Sequence, residues 1–147
     1  MAFTGNWTTN TFKTGILDGT FNFNTGTTDV YKIALYTNAA TLDATTTAYT
    51  SIGEVVATGY TAGGATLVIS QVPTIGNQTG AATTYLSFEN AVWSGGITAR
   101  GALIYKADGT TNPTVCVLDF GADKASSTTF TVQFPAATNT SAIIRIS

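Results

Sequence analysis

Turn-forming residues divide the chain into short runs of β-branched and aromatic residues, and this pattern limits the folds open to it. The glycine pairs at 63–64 and 95–96 mark two of the turns, and Asp108-Gly109 is typical of a tight β-hairpin. The runs predict strands over residues 30–36, 66–70, 85–88, 91–93, 100–106, 115–120, 129–134 and 142–147. Such short strands at fairly regular spacing are typical of an all-β sandwich or jelly roll.

The composition agrees with this fold class. Only 10% of the 147 residues are charged, whereas an average globular protein has roughly a quarter. Threonine is the commonest residue and glycine is abundant, which favours strands and tight turns over helices. A hydrophobic content of 44% argues against disorder. We therefore expect an all-β, single-domain, jelly-roll-like sandwich.

The first 28 residues differ from the rest, and we divide the chain into an N-terminal arm or short helix at 1–28 and a β-sandwich at 29–147. Thr9 or Asn10 is suited to cap a short helix that carries Phe12 and Ile16 on one face and ends at Gly19. A short strand is the alternative, since a glycine at position 15 weakens a helix.

Three aromatic residues of this segment are candidate contacts with a partner. Phe3, Trp7 and Phe12 lack the alternation that would bury them in a sheet of their own. A large aromatic on an arm is suited to fill a neighbour's pocket. We expect the arm to be separable from a β domain that folds without residues 1–9, and the protein to form homo-oligomers. The long polar loop at 39–53 is a second candidate for partner contacts.

The charge pattern excludes some classes of partner. The net charge is −2, and six Lys and Arg residues are too few for a basic stripe along a phosphate backbone. We therefore expect no nucleic-acid partner. We also expect no membrane partner, because no apolar run approaches the ~20 residues of a membrane-spanning helix. The first residues do not resemble a signal peptide.

Catalytic chemistry is not indicated either. The chain has no histidine, which removes Ser-His and Cys-His mechanisms and the usual zinc sites. The two glutamates, Glu54 and Glu89, are far apart in sequence, and nothing pairs them as a glycosidase requires. The glycine-rich segment 59–64 lacks the Gly-Lys-Ser/Thr ending of a phosphate-binding loop, so a tight hairpin or a bulge is the better interpretation.

The remaining candidates have structural interpretations. Asp119, Asp123 and Ser126 offer oxygen atoms to calcium, but their spacing matches no EF-hand and a solvated turn at Asp123 is favoured. The single cysteine, Cys116, lies in an apolar run and is expected to be a buried, unreactive core residue. Trp93 ends an apolar strand and is expected in the core. We expect no enzymatic activity, no cofactor and no metal.

Several segments resemble small virion proteins of tailed bacteriophages. The segments are DVYKIALYT at 29–37, AYT at 48–50 with EV at 54–55, ATGYTAGG at 57–64, ITARGALIY at 97–105, LDFGADK at 118–124 and FTVQFP at 130–135. The short helix expected near Phe12 is similar to the opening of these proteins. The resemblance spans nearly the whole chain from about Thr11, and its motifs are structural.

The resemblance implies a head-decoration, or cement, protein that stabilises a phage capsid by bridging major capsid subunits. The implied partner is the major capsid protein, and the implied location is the capsid surface of the virion after synthesis in the host cytoplasm. Two alternatives stay open. One is a structural component of a tail or fibre, and the other is a carbohydrate-binding β-sandwich in which exposed Trp or Tyr residues stack on sugar rings.

Overall fold

A computed structural model describes residues 3–76 and 82–147. Over these residues the chain forms one short helix and ten strands, and the strands pair in antiparallel sheets. In chain order they are β1 (Trp7–Thr8), α1 (Asn10–Asp18), β2 (Tyr31–Tyr36), β3 (Ala65–Leu67), β4 (Ile69–Ile75), β5 (Thr84–Phe88), β6 (Ala91–Ser94), β7 (Ile97–Lys106), β8 (Thr114–Ser126), β9 (Thr129–Val132) and β10 (Ile144–Ile146). The predicted all-β, jelly-roll-like sandwich with one short helix is confirmed.

The largest sheet has five strands in the order β1-β8-β7-β2-β3. Its centre is the β7–β8 hairpin, in which Leu103 lies opposite Val117. The connection contains Asp108-Gly109, as the sequence predicted, and the Asp108 carboxylate accepts the amides of Thr110, Thr111 and Asn112. The Thr111 hydroxyl, which donates to the other carboxylate oxygen at 2.6 Å, and these amides hold the pKa of Asp108 below its usual range.

Two smaller sheets have the strand orders β10-β5-β4 and β6-β9. The main core joins buried side chains of all three sheets. Ile33, Leu35, Ala102, Ile104 and Cys116 come from the large sheet, Leu86, Phe88 and Ile144 from the second, and Ala91, Trp93, Phe130 and Val132 from the third. The predicted burial of Trp93 and Cys116 is confirmed. In β9, Phe130 and Val132 are buried while Thr129 and Thr131 are exposed, as their alternation predicted.

A second core covers the opposite face of the five-stranded sheet. It consists of Phe3, Ala34, Tyr36, Ala40, Leu42, Leu103, Tyr105 and Val117. Ala40 and Leu42 belong to the polar loop at 39–53, so this loop contributes buried side chains as well as exposed ones. Because both faces of the sheet are covered, five of the six residues of β2 are buried.

Helix α1 forms where the sequence allowed it. The Thr9 hydroxyl accepts the Phe12 amide at 3.2 Å and caps the N-terminus, and Gly19 ends the helix in the left-handed conformation with φ of 82°. Phe12 and Gly15 are the buried residues of the helix. The short-strand alternative is therefore excluded.

The N-terminal segment is bound into the sandwich on both sides of Thr9. Trp7 lies opposite Val117 in the β1–β8 pair, and the Thr9 hydroxyl, itself fully buried, donates to the Thr114 carbonyl at 3.0 Å. The Phe3 ring packs over Gly101, where a Cβ would overlap it. These contacts contradict the expectation that residues 1–9 are separable from the β domain.

Several strand boundaries differ from the predicted ones. The run at 66–70 is divided at Val68, which is 61% exposed, because β3 and β4 belong to different sheets. Strand β8 continues to Ser126, since its last residues pair with Ile97–Ala99 of β7. Asp123 and Lys124 are exposed, as expected, but lie in this strand rather than in a turn.

Candidate interaction surface

The described part of the chain contains no group of three or more acidic or cysteine residues placed to hold a metal ion. Asp119, a candidate calcium ligand, instead forms an ion pair with Arg100 at 3.1 Å and accepts the Gly121 amide at 2.8 Å. Burial of Asp119 raises its pKa, but these partners outweigh it and hold the pKa below the usual value. Within residues 3–76 and 82–147, no helix is long and apolar enough to span a bilayer.

The buried carboxylate of Glu54 is the most heavily hydrogen-bonded acidic side chain of the interior. It accepts the hydroxyls of Tyr49 and Tyr60, each at 2.6 Å, and the amide of Gly63 at 2.7 Å. Burial, followed by the hydrogen bond to Glu54, raises the pKa of Tyr60 above its ordinary value. All three donors come from the chain itself, so Glu54 holds together the segment between β2 and β3.

The glycine-rich segment 59–64 takes part in this arrangement. It forms two successive turns, closed by hydrogen bonds from the Tyr60 amide to Ala57 and from the Gly64 amide to Thr61. The Tyr105 hydroxyl donates to the Gly63 carbonyl at 2.8 Å. The segment then enters β3, a strand, so the geometry of a phosphate-binding loop is absent.

The structure places the three predicted anchors in different environments. Phe3 and Phe12 are 2% and 1% exposed and fill the chain's own cores, on opposite faces of the large sheet. This corrects the expectation that either ring is free to enter a neighbour's pocket. Trp7 is 40% exposed, with its indole N–H donating to the Thr4 hydroxyl at 3.2 Å. A partner contact at Trp7 stays a prediction.

A groove between α1 and β10 gathers exposed apolar side chains on one side of the molecule. It consists of two adjoining depressions of about 300 and 310 Å³, which share Phe12, Ile16, Ile144 and Ile146. Phe12 and Ile144 form its buried floor, whereas Ile16 and Ile146 are 38% and 49% exposed. We call this the α1–β10 groove.

A smaller depression of about 210 Å³ lies beside it and contains Trp7. Thr8 lines both this depression and the α1–β10 groove, and Leu118 and Ile143 form apolar walls around Trp7. The two strands here, β1 and β10, are each the edge strand of a sheet, with a strand neighbour on one side only among the described residues. Edge strands leave backbone N–H and C=O groups free for another chain.

The charged side chains that line the α1–β10 groove are of one sign. Lys13 and Arg145 are exposed and line it, and none of its described lining residues is acidic. The nearest acidic residue in sequence, Asp18, lines a different depression, and its carboxylate accepts the Thr20 amide and hydroxyl. This local positive charge contrasts with the net charge of −2 of the whole chain.

Sequence reasoning identified Trp7 and Phe12 but missed Ile146 and Arg145. The alternation of Ile144, Arg145 and Ile146 does indicate a strand with two faces. Only the strand order shows that this strand lies at an edge and beside α1.

Comparison of the chain with protein-family models, with curated proteins and with solved structures finds no match.

Proposed function

We propose that this protein is a structural component of a virus particle, which decorates and stabilises a phage capsid by bridging major capsid subunits. The proposal rests mainly on one observation, the surface formed by the Trp7 depression and the adjoining α1–β10 groove. Exposed apolar side chains and two sheet edges meet there, and such surfaces mark sites of protein–protein contact.

The rest of the surface supports the same role. Large aliphatic side chains stand nearly free in solvent at Leu17, Ile52 and Val56, which are 88%, 78% and 98% exposed. With few charged residues, an interface formed by such a surface avoids much of the cost of removing ions from water. Many modest contacts of this kind, repeated over a shell, stabilise it strongly.

The test is the composition of virus particles that carry this protein. Quantitative mass spectrometry of purified heads and tails is expected to find it in heads, at a copy number comparable to that of the major capsid protein. Heads from which it has been removed are expected to disassemble at a lower temperature, and added protein is expected to restore them. A low copy number confined to tails or fibres would contradict the proposal.

A further inference from the structure

We infer that the α1–β10 groove binds an extended segment of a partner protein that carries acidic side chains next to apolar ones. The inference rests on the proposed function for the identity of that partner, which is then the major capsid protein. It adds the place of docking and the chemistry of the bound segment.

The shape of the groove favours an extended segment. The two depressions share Phe12, Ile16, Ile144 and Ile146, so together they form one continuous site along the groove. The site runs beside β10, whose outer edge has no strand neighbour among the described residues. An extended chain can pair with such an edge through its backbone while its alternate side chains enter the groove.

The surface of the groove favours apolar side chains on that segment. Its floor is the buried pair Phe12 and Ile144, and Ile16 and Ile146 rise half-exposed from it. The backbone amides and carbonyls of the bound segment would form hydrogen bonds with the outer edge of β10. Its apolar side chains would then remove Ile16 and Ile146 from water, which is the main source of affinity at such a site.

The charge at the groove favours acidic side chains. Lys13 on α1 and Arg145 on β10 line the same depression, with no acidic side chain among the described lining residues. A second copy of this chain docking by the same surface would bring two such pairs of cations together and be repelled. A segment carrying aspartate or glutamate is complementary to the site instead.

Charge reversal at Lys13 tests the inference. Lys13 is an exposed residue in the first turns of α1, where an acidic residue suits the helix dipole, so Lys13→Glu is expected to fold normally. The matched control is Lys124→Glu, an equal charge change at an exposed position in β8 that lines a different depression. Both proteins are titrated onto heads from which the natural copies have been removed.

Lys13→Glu is expected to weaken binding by about tenfold or more at low salt, with a smaller difference as salt rises, while Lys124→Glu binds like wild type. A second pair tests the apolar part. Ile146→Asp is expected to lose binding, whereas Val92→Asp, at a strand residue that is 54% exposed in another sheet, is not. Equal melting temperatures within each pair exclude misfolding.

Two outcomes separate failure of the groove from failure of the proposed function. If wild type binds heads and the Lys13 and Ile146 variants bind equally well, the groove inference is wrong and the capsid role stands. If wild type does not bind heads, both are wrong. A photo-crosslinker at position 146 is expected to capture a capsid segment with acidic and apolar residues, and capture of a second copy of this chain would also overturn the inference.

Discussion

The Tyr60 hydroxyl donates a 2.6 Å hydrogen bond to Glu54 and at the same time accepts the Leu35 amide at 2.9 Å. A carboxylate in the segment between β2 and β3 is thereby connected to the backbone of β2, in the large sheet. Tyr49, on the other side of Glu54, stacks on Tyr105 with ring centroids 4.8 Å apart. This buried acid therefore joins the second core to the segment that covers it.

Replacing Glu54 by glutamine is expected to destabilise the protein. The amide group of the new side chain donates where the carboxylate oxygen accepted, so at least one buried donor loses its partner, at a cost of about 1–3 kcal/mol. The control is Glu89→Gln at the only other glutamate, which is exposed and is expected to change little. Chemical denaturation of both variants measures the difference, and equal free energies of unfolding would contradict the prediction.

The protein is expected to lose stability in alkali, because the pKa values of five tyrosines are raised in the folded state. Burial is the main cause that raises the pKa of Tyr31, Tyr36, Tyr49, Tyr60 and Tyr105, the last to about 12. A group whose pKa is higher in the folded state stabilises it fully below the unfolded pKa of about 10 and less as pH rises above that value.

A spectrophotometric titration checks this prediction. Ionisation of these five tyrosines is expected to coincide with unfolding above pH ~10, and to occur near pH ~10 in denaturant. Tyr49→Phe removes one of the raised groups and its hydrogen bond to Glu54, so its alkaline transition is the informative comparison. Ionisation of all five near pH ~10 in protein that is still folded would contradict the prediction.

Phe3 and Trp7 are expected to have different roles. Phe3 is expected to stabilise the fold, and Trp7 is expected to contact a partner. Phe3→Ala removes a ring that is 2% exposed, and large-to-small changes of this kind typically cost about 3–5 kcal/mol. Trp7→Ala, at a position 40% exposed, is expected to keep most of the stability and to reduce occupancy on particles. Thermal melts and particle binding of both variants separate the roles. Stability lost equally in both would contradict the division.

The single thiol is expected to be inert in the folded protein. Cys116 is buried, and burial raises its pKa to about 12, which removes the reactive thiolate at neutral pH. Alkylation should therefore proceed only at the rate of unfolding, with denatured protein as the positive control. Rapid labelling under native conditions would mean that β8 is not packed as described.

Local signals in the sequence predicted the local features well. The turn at Asp108-Gly109 and the burial of Cys116 each follow from a few neighbouring residues, and both are confirmed. The helix and the short strand were evenly balanced in sequence. Packing of Phe12 against Phe21 and Phe23 favours the helix, and that contact depends on the tertiary fold.

Features that depend on distant partners were not predictable. Phe3 is buried because Gly101, nearly a hundred residues later, leaves room for its ring. In the sequence, nothing distinguishes Glu54 from an ordinary loop residue. Its burial depends on the fold, which places Tyr49, Tyr60 and Gly63 around its carboxylate. Part of the candidate surface was missed for the same reason, since the edge position of β10 depends on the order of strands.

The pairing of β1 with β8 also affects how the chain acquires its structure during synthesis. Thr9 and its partner Thr114 are separated by 105 residues. At translation rates of about 5–20 residues per second, β8 is therefore synthesised roughly 5–20 s after β1. During that interval Phe3 is without Gly101, over which its ring packs in the folded protein, on a nascent chain still attached to the ribosome. The aromatic ring of Phe3, which completes the second core, is therefore exposed on the nascent chain until the β7–β8 hairpin has been made.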